Sequence, residues 1–230
     1  MWTRALFYSI EKESKSTWKF HIKVEGKKFS YVAGQFIQIK INNLIRSYSI
    51  ASYSENSNII ELIIVKLEGG VATSFLFEKV KEGDYLEVKG PLGKFILPEI
   101  INNDIFFICT GTGVAPFRSM LKYINIKKIN YQNIYLIFGT RTKKDLLYFD
   151  EMNYLKNSMN NFNYIPILSR EKWEGNLGYV HDQYLNIIKN KSLTNPIFYL
   201  CGWRDMIKEA RTNLKNLGFE SKNIKLEIYG

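Results

Sequence analysis

The chain has 230 residues, of which 46% are hydrophobic and 15% aromatic, and it carries a formal net charge of +10. This composition excludes an intrinsically disordered chain, because it supplies enough apolar surface for a core. The length allows one large domain or two compact ones, and the charge suits either a solvated surface or an acidic partner, nucleic acid or anionic lipid.

The N-terminus predicts neither a signal peptide nor a membrane anchor. It carries charge at Arg4 and Glu11 and lacks the apolar stretch of a signal sequence. The longest apolar run, residues 59–67, contains Glu61 and Lys66, and it falls far short of the roughly 18 residues that cross a bilayer. We therefore expect a cytoplasmic protein with no membrane span.

Short β-strands dominate the sequence up to about residue 97. Runs with period-two alternation or β-rich composition predict strands at residues 19–24, 35–41, 47–51, 59–65, 85–89 and 95–97. One short helix is predicted near residues 72–79. This pattern is typical of an antiparallel barrel or sandwich.

From residue 104 onward, strands alternate with helices. The predicted strands are residues 105–109, 134–138, 164–168, 197–201 and 224–228, and the predicted helices are residues 116–125, 147–159, 180–188 and 206–217. Continuous apolar strands between helices indicate a parallel sheet covered on both faces. The change near residues 98–103 divides the chain into two predicted domains, residues 1–100 and 101–230.

The loop Thr110-Gly111-Thr112-Gly113-Val114-Ala115-Pro116 lies between a predicted strand and a helix. Its glycines allow a diphosphate to approach the backbone, and Pro116 suits a first helical turn whose N–H groups favour an anion. Pro116 stands where the common dinucleotide fingerprint has its third glycine, and no acidic residue follows about 20 residues later. A tight strand-to-helix turn is the competing interpretation.

Four other short motifs carry residue types that suit flavin or nucleotide binding. Arg46-Ser47-Tyr48-Ser49 offers a guanidinium, a ring and hydroxyls, and Gly69-Gly70-Val71-Ala72-Thr73 offers backbone amides at a helix start. Cys201-Gly202-Trp203-Arg204-Asp205-Met206 follows a predicted parallel strand, where doubly wound sheets bind ligands, and Glu227-Ile228-Tyr229-Gly230 ends the sequence. Taken singly, each has an ordinary alternative as strand, turn or core packing, and for Arg46-Ser47-Tyr48-Ser49 an ordinary strand is the favoured interpretation.

In their order along the chain, these five motifs resemble the ferredoxin-NADP reductase superfamily, from about Ala33 to the end. Gly90-Pro91-Leu92-Gly93-Lys94-Phe95 and Phe138-Gly139-Thr140-Arg141 agree with the same family. The resemblance implies a two-domain fold, with an antiparallel β-barrel FAD-binding domain followed by an α/β parallel-sheet NAD(P)-binding domain. The implied cofactors are FAD and NADP, with NAD as the alternative to NADP.

The resemblance also implies roles for individual residues. Arg46 would contact the FAD diphosphate, Tyr48 would stack on the isoalloxazine or hold the ribityl chain, and Ser49 would reach flavin N5. Cys201 would guide the nicotinamide, and Tyr229, with Glu227, would cover the flavin until the nicotinamide displaces it. The implied catalytic residues are therefore Ser49, Cys201, Glu227 and Tyr229.

The implied cofactor-binding set is larger. It consists of Arg46, Ser47, Tyr48, Ser49, Val65, Lys66, Gly69, Gly70, Val71, Ala72, Thr73, Thr112, Gly113, Pro116, Arg141, Ser169, Arg170, Tyr179, Cys201, Gly202, Met206 and Tyr229. Ser169 and Arg170 match a pair that holds the 2′-phosphate in NADP-using relatives, and Tyr179 is placed to stack on the adenine. Residues 173–180 also resemble NAD-using reductases, so both nucleotides stay open.

Arginine is scarce in this chain, and its placement supports the same interpretation. Only seven of the 32 basic residues are arginines, and five lie in or beside the motifs, where bidentate phosphate binding is their typical use. These five are Arg46, Arg118, Arg141, Arg170 and Arg204. Solvation of a helix surface is the alternative for Arg118 and Arg204.

The predicted function is that of an FAD-dependent oxidoreductase. It transfers hydride between NADP(H) and FAD, and single electrons to or from ferredoxin or flavodoxin. The carrier must be separate, because Cys109 and Cys201 are too few for an iron–sulfur cluster, and no metal site is predicted. We expect a monomer whose lysine excess attracts an acidic carrier.

Three alternatives stay open at this point. The first is a reductase component of an oxygenase system, which performs the same chemistry for another partner. A free-flavin reductase is a second alternative, although such proteins typically lack the motif at residues 69–73. A basic nucleic-acid-binding barrel is disfavoured, because the lysines are scattered and no RNA-binding signature is present.

Overall fold

The first half of the chain folds as a six-stranded antiparallel sheet. The computed structural model describes residues 1–26, 28–55 and 57–229. Residue 229 is described by its backbone alone. The strands are β1 (Thr3–Lys12), β2 (Thr17–Val24), β3 (Phe36–Ile41), β4 (Leu44–Ser49), β5 (Ile59–Val65) and β6 (Tyr85–Leu92), and helix α1 (Val71–Glu78) joins β5 to β6. Their order in the sheet is β4-β3-β6-β1-β2-β5.

Alternating apolar residues build the core of this sheet. In β2, for example, Phe20, Ile22 and Val24 are buried, because successive side chains of a strand point to opposite faces. An antiparallel bridge joins Ile50, just after β4, to Leu62 of β5. The two ends of the sheet therefore meet, and the predicted antiparallel barrel is confirmed.

The second half folds as a six-stranded parallel sheet. The strands are β7 (Ile105–Thr110), β8 (Ile134–Thr140), β9 (Phe162–Leu168), β10 (Asn176–Leu177), β11 (Ile197–Trp203) and β12 (Ile224–Tyr229), in the order β10-β9-β8-β7-β11-β12. The helices are α2 (Ala115–Lys127), α3 (Phe149–Ser158), α4 (Val180–Asn190) and α5 (Arg204–Asn216). The predicted parallel α/β fold is confirmed.

The central strands of the parallel sheet are buried on both faces. Phe106 of β7 belongs to a core cluster with Tyr184 of α4 and Ala210 of α5, and the adjacent Phe107 is equally buried. Because all six strands run in one direction, their carboxyl ends lie along one edge of the sheet, the usual place for ligands.

The chain divides into two compact units, each made of two separate segments of the sequence. One unit comprises Met1–Leu97 with Ala115–Lys127, and the other comprises Pro98–Val114 with Lys128–Gly230. Helix α2 therefore belongs to the barrel unit, where Phe117 packs on Phe95 with ring centroids 5.8 Å apart. No helix of the described residues is long and apolar enough to cross a membrane.

Strand β1 has no counterpart among the predicted strands. It pairs with both β2 and β6, and it buries Ala5 and Phe7. The register shifts between Phe7 and Ser9, and such a bulge interrupts the period-two alternation by which strands are predicted. A central strand of the barrel is thus invisible to periodicity alone.

Two predicted strands differ from the structure. Residues 95–97 form no strand. Phe95 is buried by packing on Phe117 and not by a place in a sheet. The strand predicted at residues 47–51 lies earlier, as β4. Apolar composition therefore indicated burial correctly in both places, while strand pairing depended on neighbours distant in sequence.

Candidate functional site

Residues 46–49 are the last four residues of β4 and pair with β3. Ser49 is buried, Tyr48 packs half-buried against the barrel core, and Arg46 and Ser47 are exposed. The Arg46 guanidinium donates to the carbonyl oxygen of Ile45 (2.9 Å), and no carboxylate of the described residues forms an ion pair with it. An unpaired guanidinium beside an aromatic ring can bind an anion next to a flat heterocycle.

The Tyr48 phenol is held in its neutral form. Burial raises its pKa to about 12, and the nearby positive charge of Arg46 offsets only part of that rise. The hydroxyl therefore remains a hydrogen-bond donor throughout the physiological range.

The turn before α1 brings Gly70 against Thr73. A Cβ atom on Gly70 would lie 2.6 Å from Thr73 Oγ1, so a side chain there would displace the Thr73 hydroxyl. The Thr73 hydroxyl donates to the Gly70 carbonyl (3.1 Å) and accepts from the Leu67 N–H (3.2 Å). Val71, whose side chain is exposed, and Ala72 begin the helix, and N–H groups in a first turn have no partner within the helix.

The other predicted residues of this motif surround the same turn. Gly69 adopts the left-handed region at φ +71°. Val65 ends β5, and the Lys66 ammonium that follows pairs with Glu78 Oε1 (2.8 Å), at the far end of α1. The structure thus brings residues 65–73 together, with Lys66 already paired within the barrel unit.

The loop after β7 packs directly on the end of β11. It forms one turn of 3-10 helix, Gly111–Val114. A Cβ atom on Gly113 would lie 2.3 Å from the Cys201 carbonyl oxygen, and one on Gly202 would lie 2.5 Å from Thr110 Oγ1. Neither position has room for a side chain, because the backbone after β7 lies in contact with the end of β11.

Thr112 and Pro116 flank this loop contact. Thr112 is half-buried in the 3-10 turn, and Pro116 is buried as the second residue of α2. A proline suits that position, because its missing N–H would have had no partner within the helix.

Cys201 is fully buried in β11. In the sheet register it lies between Cys109 of β7 and Glu227 of β12, and Met206 of α5 packs half-buried on the adjacent core. The backbone of Tyr229 pairs with Trp203, but its side chain lies outside the part of the chain that the structure describes. Among the described residues, no three His, Cys, Asp or Glu side chains are grouped to hold a metal ion.

The carboxyl ends of β8 and β9 bring two predicted nucleotide-binding arginines together. The Arg170 N–H donates to the Arg141 carbonyl (3.0 Å), and Ser169 donates to the Thr140 carbonyl through its N–H (3.0 Å) and its hydroxyl (3.3 Å). Both guanidinium groups are exposed, and neither forms an ion pair within the described chain. Tyr179, 67% exposed, precedes α4. Exposed guanidinium groups near an exposed ring suit a phosphorylated nucleotide.

Arg118, grouped with phosphate-binding arginines or with helix solvation in the sequence analysis, does neither. Only 6% of its surface is exposed, and its Nη1 donates to the Ala51 carbonyl (2.9 Å) and to Glu61 Oε2 (3.0 Å). The signal that could have identified the pair is Glu61 itself, the charged residue inside the otherwise apolar strand IIELIIV. A charge in such a strand needs a buried partner.

Trp203 received no role from the sequence, although it lies beside the loop. Its side chain is 54% exposed, and its backbone N–H donates to Thr110 Oγ1 (3.3 Å). Its indole Nε1 lies 3.9 Å from where a Cβ atom on Gly111 would be. A large exposed aromatic side chain at the carboxyl edge of a parallel sheet is the signal for such a residue.

Family comparisons match both halves of the chain. Residues 6–96 match the oxidoreductase FAD-binding domain family, and residues 107–212 match the oxidoreductase NAD-binding domain family. The structure is similar to that of a ferredoxin NADP+ reductase from Neisseria gonorrhoeae with bound FAD and NADP (TM-score 0.87, 23% identity, 99% of this chain and 98% of that chain). At this identity the likeness shows the fold.

Three curated proteins illustrate the range of similar sequences. The chain is 35% identical to a CDP-6-deoxy-L-threo-D-glycero-4-hexulose-3-dehydrase reductase of Yersinia pestis, over 83% of this chain and 57% of that protein. It is 31% identical to the phenol hydroxylase P5 protein of Acinetobacter pittii (86% and 58%) and 29% identical to ferredoxin–NADP reductase B of Sorangium cellulosum (90% and 88%). The chain spans somewhat more than half the length of the first two.

Proposed function

Because the chain belongs to the ferredoxin-NADP reductase superfamily, with an FAD-binding and a NAD-binding domain, we propose that it is a ferredoxin- or flavodoxin-NADP reductase. It transfers hydride between NADP(H) and FAD, and single electrons between FAD and a separate carrier. The observation that carries this proposal is the pair of glycine turns ahead of α1 and α2, where a Cβ atom on Gly70 would collide with Thr73 Oγ1 and one on Gly113 with the Cys201 carbonyl oxygen. We assign residues 1–100 to FAD binding and residues 101–230 to NAD(P) binding.

The barrel residues fit FAD. Arg46, exposed and without a carboxylate partner among the described residues, neutralises the diphosphate. The first-turn N–H groups of α1, behind Gly69 and Gly70, donate to the same diphosphate. Neutral Tyr48 lies against the ring system or the ribityl chain, and buried Ser49 meets N5. Ser47, Val65, Lys66, Val71, Ala72 and Thr73 complete this set.

The residues of the parallel sheet fit NADP. Thr112 and Gly113 place backbone N–H groups ahead of α2, where an anion is favoured, and Pro116, which has no N–H, lies in the first turn of that helix. Arg141, Ser169 and Arg170 take the 2′-phosphate, and exposed Tyr179 stacks on the adenine. Cys201, Gly202 and Met206 surround the nicotinamide end. A guanidinium pair favours a dianionic phosphate over a ribose hydroxyl, which supports NADP over NAD.

Bound FAD would supply the redox chemistry, taking two electrons at once and releasing them singly. The protein aligns the reacting atoms and controls their surroundings. Ser49 would donate a hydrogen bond to flavin N5, Cys201 and Glu227 would limit where the nicotinamide ring lies, and Tyr229 would lie over the flavin. These four residues are the proposed catalytic set.

The proposed partner is a separate acidic carrier, ferredoxin or flavodoxin, met by a monomer in the cytoplasm. The net charge of +10 supports an acidic partner, and ferredoxin–NADP reductase B is 88% covered by the match. The second candidate is the reductase component of an oxygenase system, which the similarity to a phenol hydroxylase protein favours.

Cofactor retention and anaerobic reduction test this function. The purified protein should be yellow and keep FAD through gel filtration, and NADPH should bleach the flavin band faster than NADH. Reduced protein should then pass electrons to ferredoxins or flavodoxins. A protein that releases its flavin on the column would instead be a free-flavin reductase, and one that never shows a flavin band would contradict the proposal altogether.

Transfer to an oxygenase component only, with none to ferredoxin or flavodoxin, would favour the second candidate.

A further inference from the structure

The buried ion pair between Arg118 of α2 and Glu61 of β5 does not belong to either cofactor motif. Their exposed fractions are 6% and 7%, and Nη1 of Arg118 lies 3.0 Å from Glu61 Oε2. His21 Nε2 lies 3.4 Å from the same carboxylate oxygen. An arginine stays charged even when buried, and removing that charge from water costs free energy. We therefore expect a structural or functional role that offsets this cost.

The same Arg118 nitrogen also holds a main-chain group. Nη1 donates to the Ala51 carbonyl oxygen (2.9 Å), and the Ala51 N–H donates to the Glu61 carbonyl (2.8 Å). Ala51 is therefore fixed on both sides of its residue, by the side chain of Arg118 and by the backbone of Glu61.

The next residue, Ser52, is also held by several hydrogen bonds. Its carbonyl oxygen accepts from the hydroxyls of Ser119 (2.6 Å) and Tyr31 (3.0 Å), and its own hydroxyl accepts from the Glu61 N–H (2.9 Å). Two consecutive residues of α2, Arg118 and Ser119, thus bind two consecutive carbonyl groups, those of Ala51 and Ser52. Helix α2 therefore sets the position of the backbone at Ala51 and Ser52.

This backbone follows directly after Ser49, where β4 ends. Resting on the proposed function, in which Tyr48 and Ser49 meet the flavin, we propose that Arg118 is a positioning residue for the flavin. Through the Ala51 carbonyl it fixes the chain that leaves Ser49, with Glu61 holding its guanidinium in place. Misplacement of a reacting geometry by about 1 Å can lower a rate by about 100-fold, so a buried charge is a physically reasonable cost for that control.

Three variants separate positioning from simple stability. Arg118→Met leaves Glu61 buried without its arginine and should lower the melting temperature. Arg118→Met combined with Glu61→Met removes both charges and should regain much of that loss, because apolar residues of similar shape often replace a buried pair without harm. Arg118→Lys keeps the charge, but its ammonium ends one bond short of Nη1 and cannot serve both acceptors. Arg211→Met, at an exposed position on α5, is the control.

The readouts are the FAD dissociation constant of the apoprotein, the visible circular dichroism of bound flavin, and the rate of flavin reduction in single turnover. We expect the double variant and Arg118→Lys to bind FAD about tenfold more weakly and to be reduced about tenfold more slowly, with altered dichroism and an unchanged NADPH dissociation constant. The control should match wild type in every readout.

Wild-type FAD affinity, dichroism and reduction rate in Arg118→Lys, or in a double variant that folds, would overturn the positioning role. If the double variant does not fold, Arg118→Lys alone decides. A wild-type protein that binds no FAD would instead overturn the proposed function, and the inference with it.

Discussion

At the scale of single residues, the arginines divide by their surroundings. Arg141 and Arg170 are exposed at the carboxyl edge of the parallel sheet and have no carboxylate partner in the described chain. Arg118 is buried and bound to Glu61. The same side chain thus has two uses, one for a ligand and one for the protein, and only burial distinguishes them.

Arg170→Ala should lower kcat/KM for NADPH by roughly 10- to 100-fold and leave that for NADH nearly unchanged. The reason is the loss of charge-assisted hydrogen bonds to the 2′-phosphate, worth about 1.5–3 kcal/mol. Steady-state kinetics with both nucleotides measures the ratio, and Arg211→Ala at an exposed position is the control. An unchanged ratio would rule out Arg170 as the 2′-phosphate ligand.

Tyr48 should make stability depend on pH in the alkaline range. Burial raises its pKa from about 10 to about 12, so the folded state holds the proton more tightly than the unfolded state. Its contribution is complete below pH 10 and is lost as the pH rises toward 12. Tyr48→Phe should therefore remove up to about 2 kcal/mol of the fall in unfolding free energy over this interval.

Denaturant titrations at several pH values measure this difference, with Tyr8→Phe, at an exposed tyrosine, as the control. Parallel pH curves for wild type and Tyr48→Phe would contradict the expectation.

At the scale of elements, β1 matters more than its sequence suggests. It lies between β2 and β6 and supplies Ala5 and Phe7 to the barrel core. The Phe7 ring meets Phe20 edge to face with centroids 5.9 Å apart. The ten residues of β1 are therefore part of the barrel scaffold, beside β6, which pairs in turn with β3, even though no ligand motif lies within them.

Phe7→Ala should lower the unfolding free energy by about 3–5 kcal/mol, because it empties a fully buried aromatic site. It should also weaken FAD retention, since the barrel carries the flavin motifs. Tyr8→Ala, whose side chain points outward from the same strand, should change stability by less than about 0.5 kcal/mol. Urea unfolding measures both, and equal effects of the two variants would contradict the burial of Phe7.

At the scale of the whole molecule, the charge of +10 now has a narrower interpretation. Of the six arginines besides Arg118, three lie where phosphates are proposed to bind, namely Arg46, Arg141 and Arg170, while the lysines are spread over both halves. A diffuse positive field raises the encounter rate with an acidic carrier rather than specifying its docked pose.

Electron transfer to ferredoxin should therefore slow as salt rises from about 0.01 M to about 0.15 M, where the screening length falls from about 30 Å to about 8 Å. Stopped-flow mixing of reduced protein with the carrier measures this, and flavin reduction by NADPH in the same buffers is the comparison. A second-order rate that ignores ionic strength would reduce the net charge to a matter of solubility.

The sequence by itself determined the two-domain fold and the order of the motifs. Periodicity distinguishes half-buried antiparallel strands, which alternate, from buried parallel strands, which are continuously apolar. Glycine-rich turns such as residues 110–116 are recognised from a few neighbouring residues. Only the tertiary structure decided three things. These are that β1 is a central strand of the barrel sheet despite its bulge, that α2 belongs to the barrel unit, and that Arg118 binds Glu61. Each depends on residues far apart in the chain, 57 positions in the case of that pair, and long-range pairing leaves no periodic trace in a single sequence.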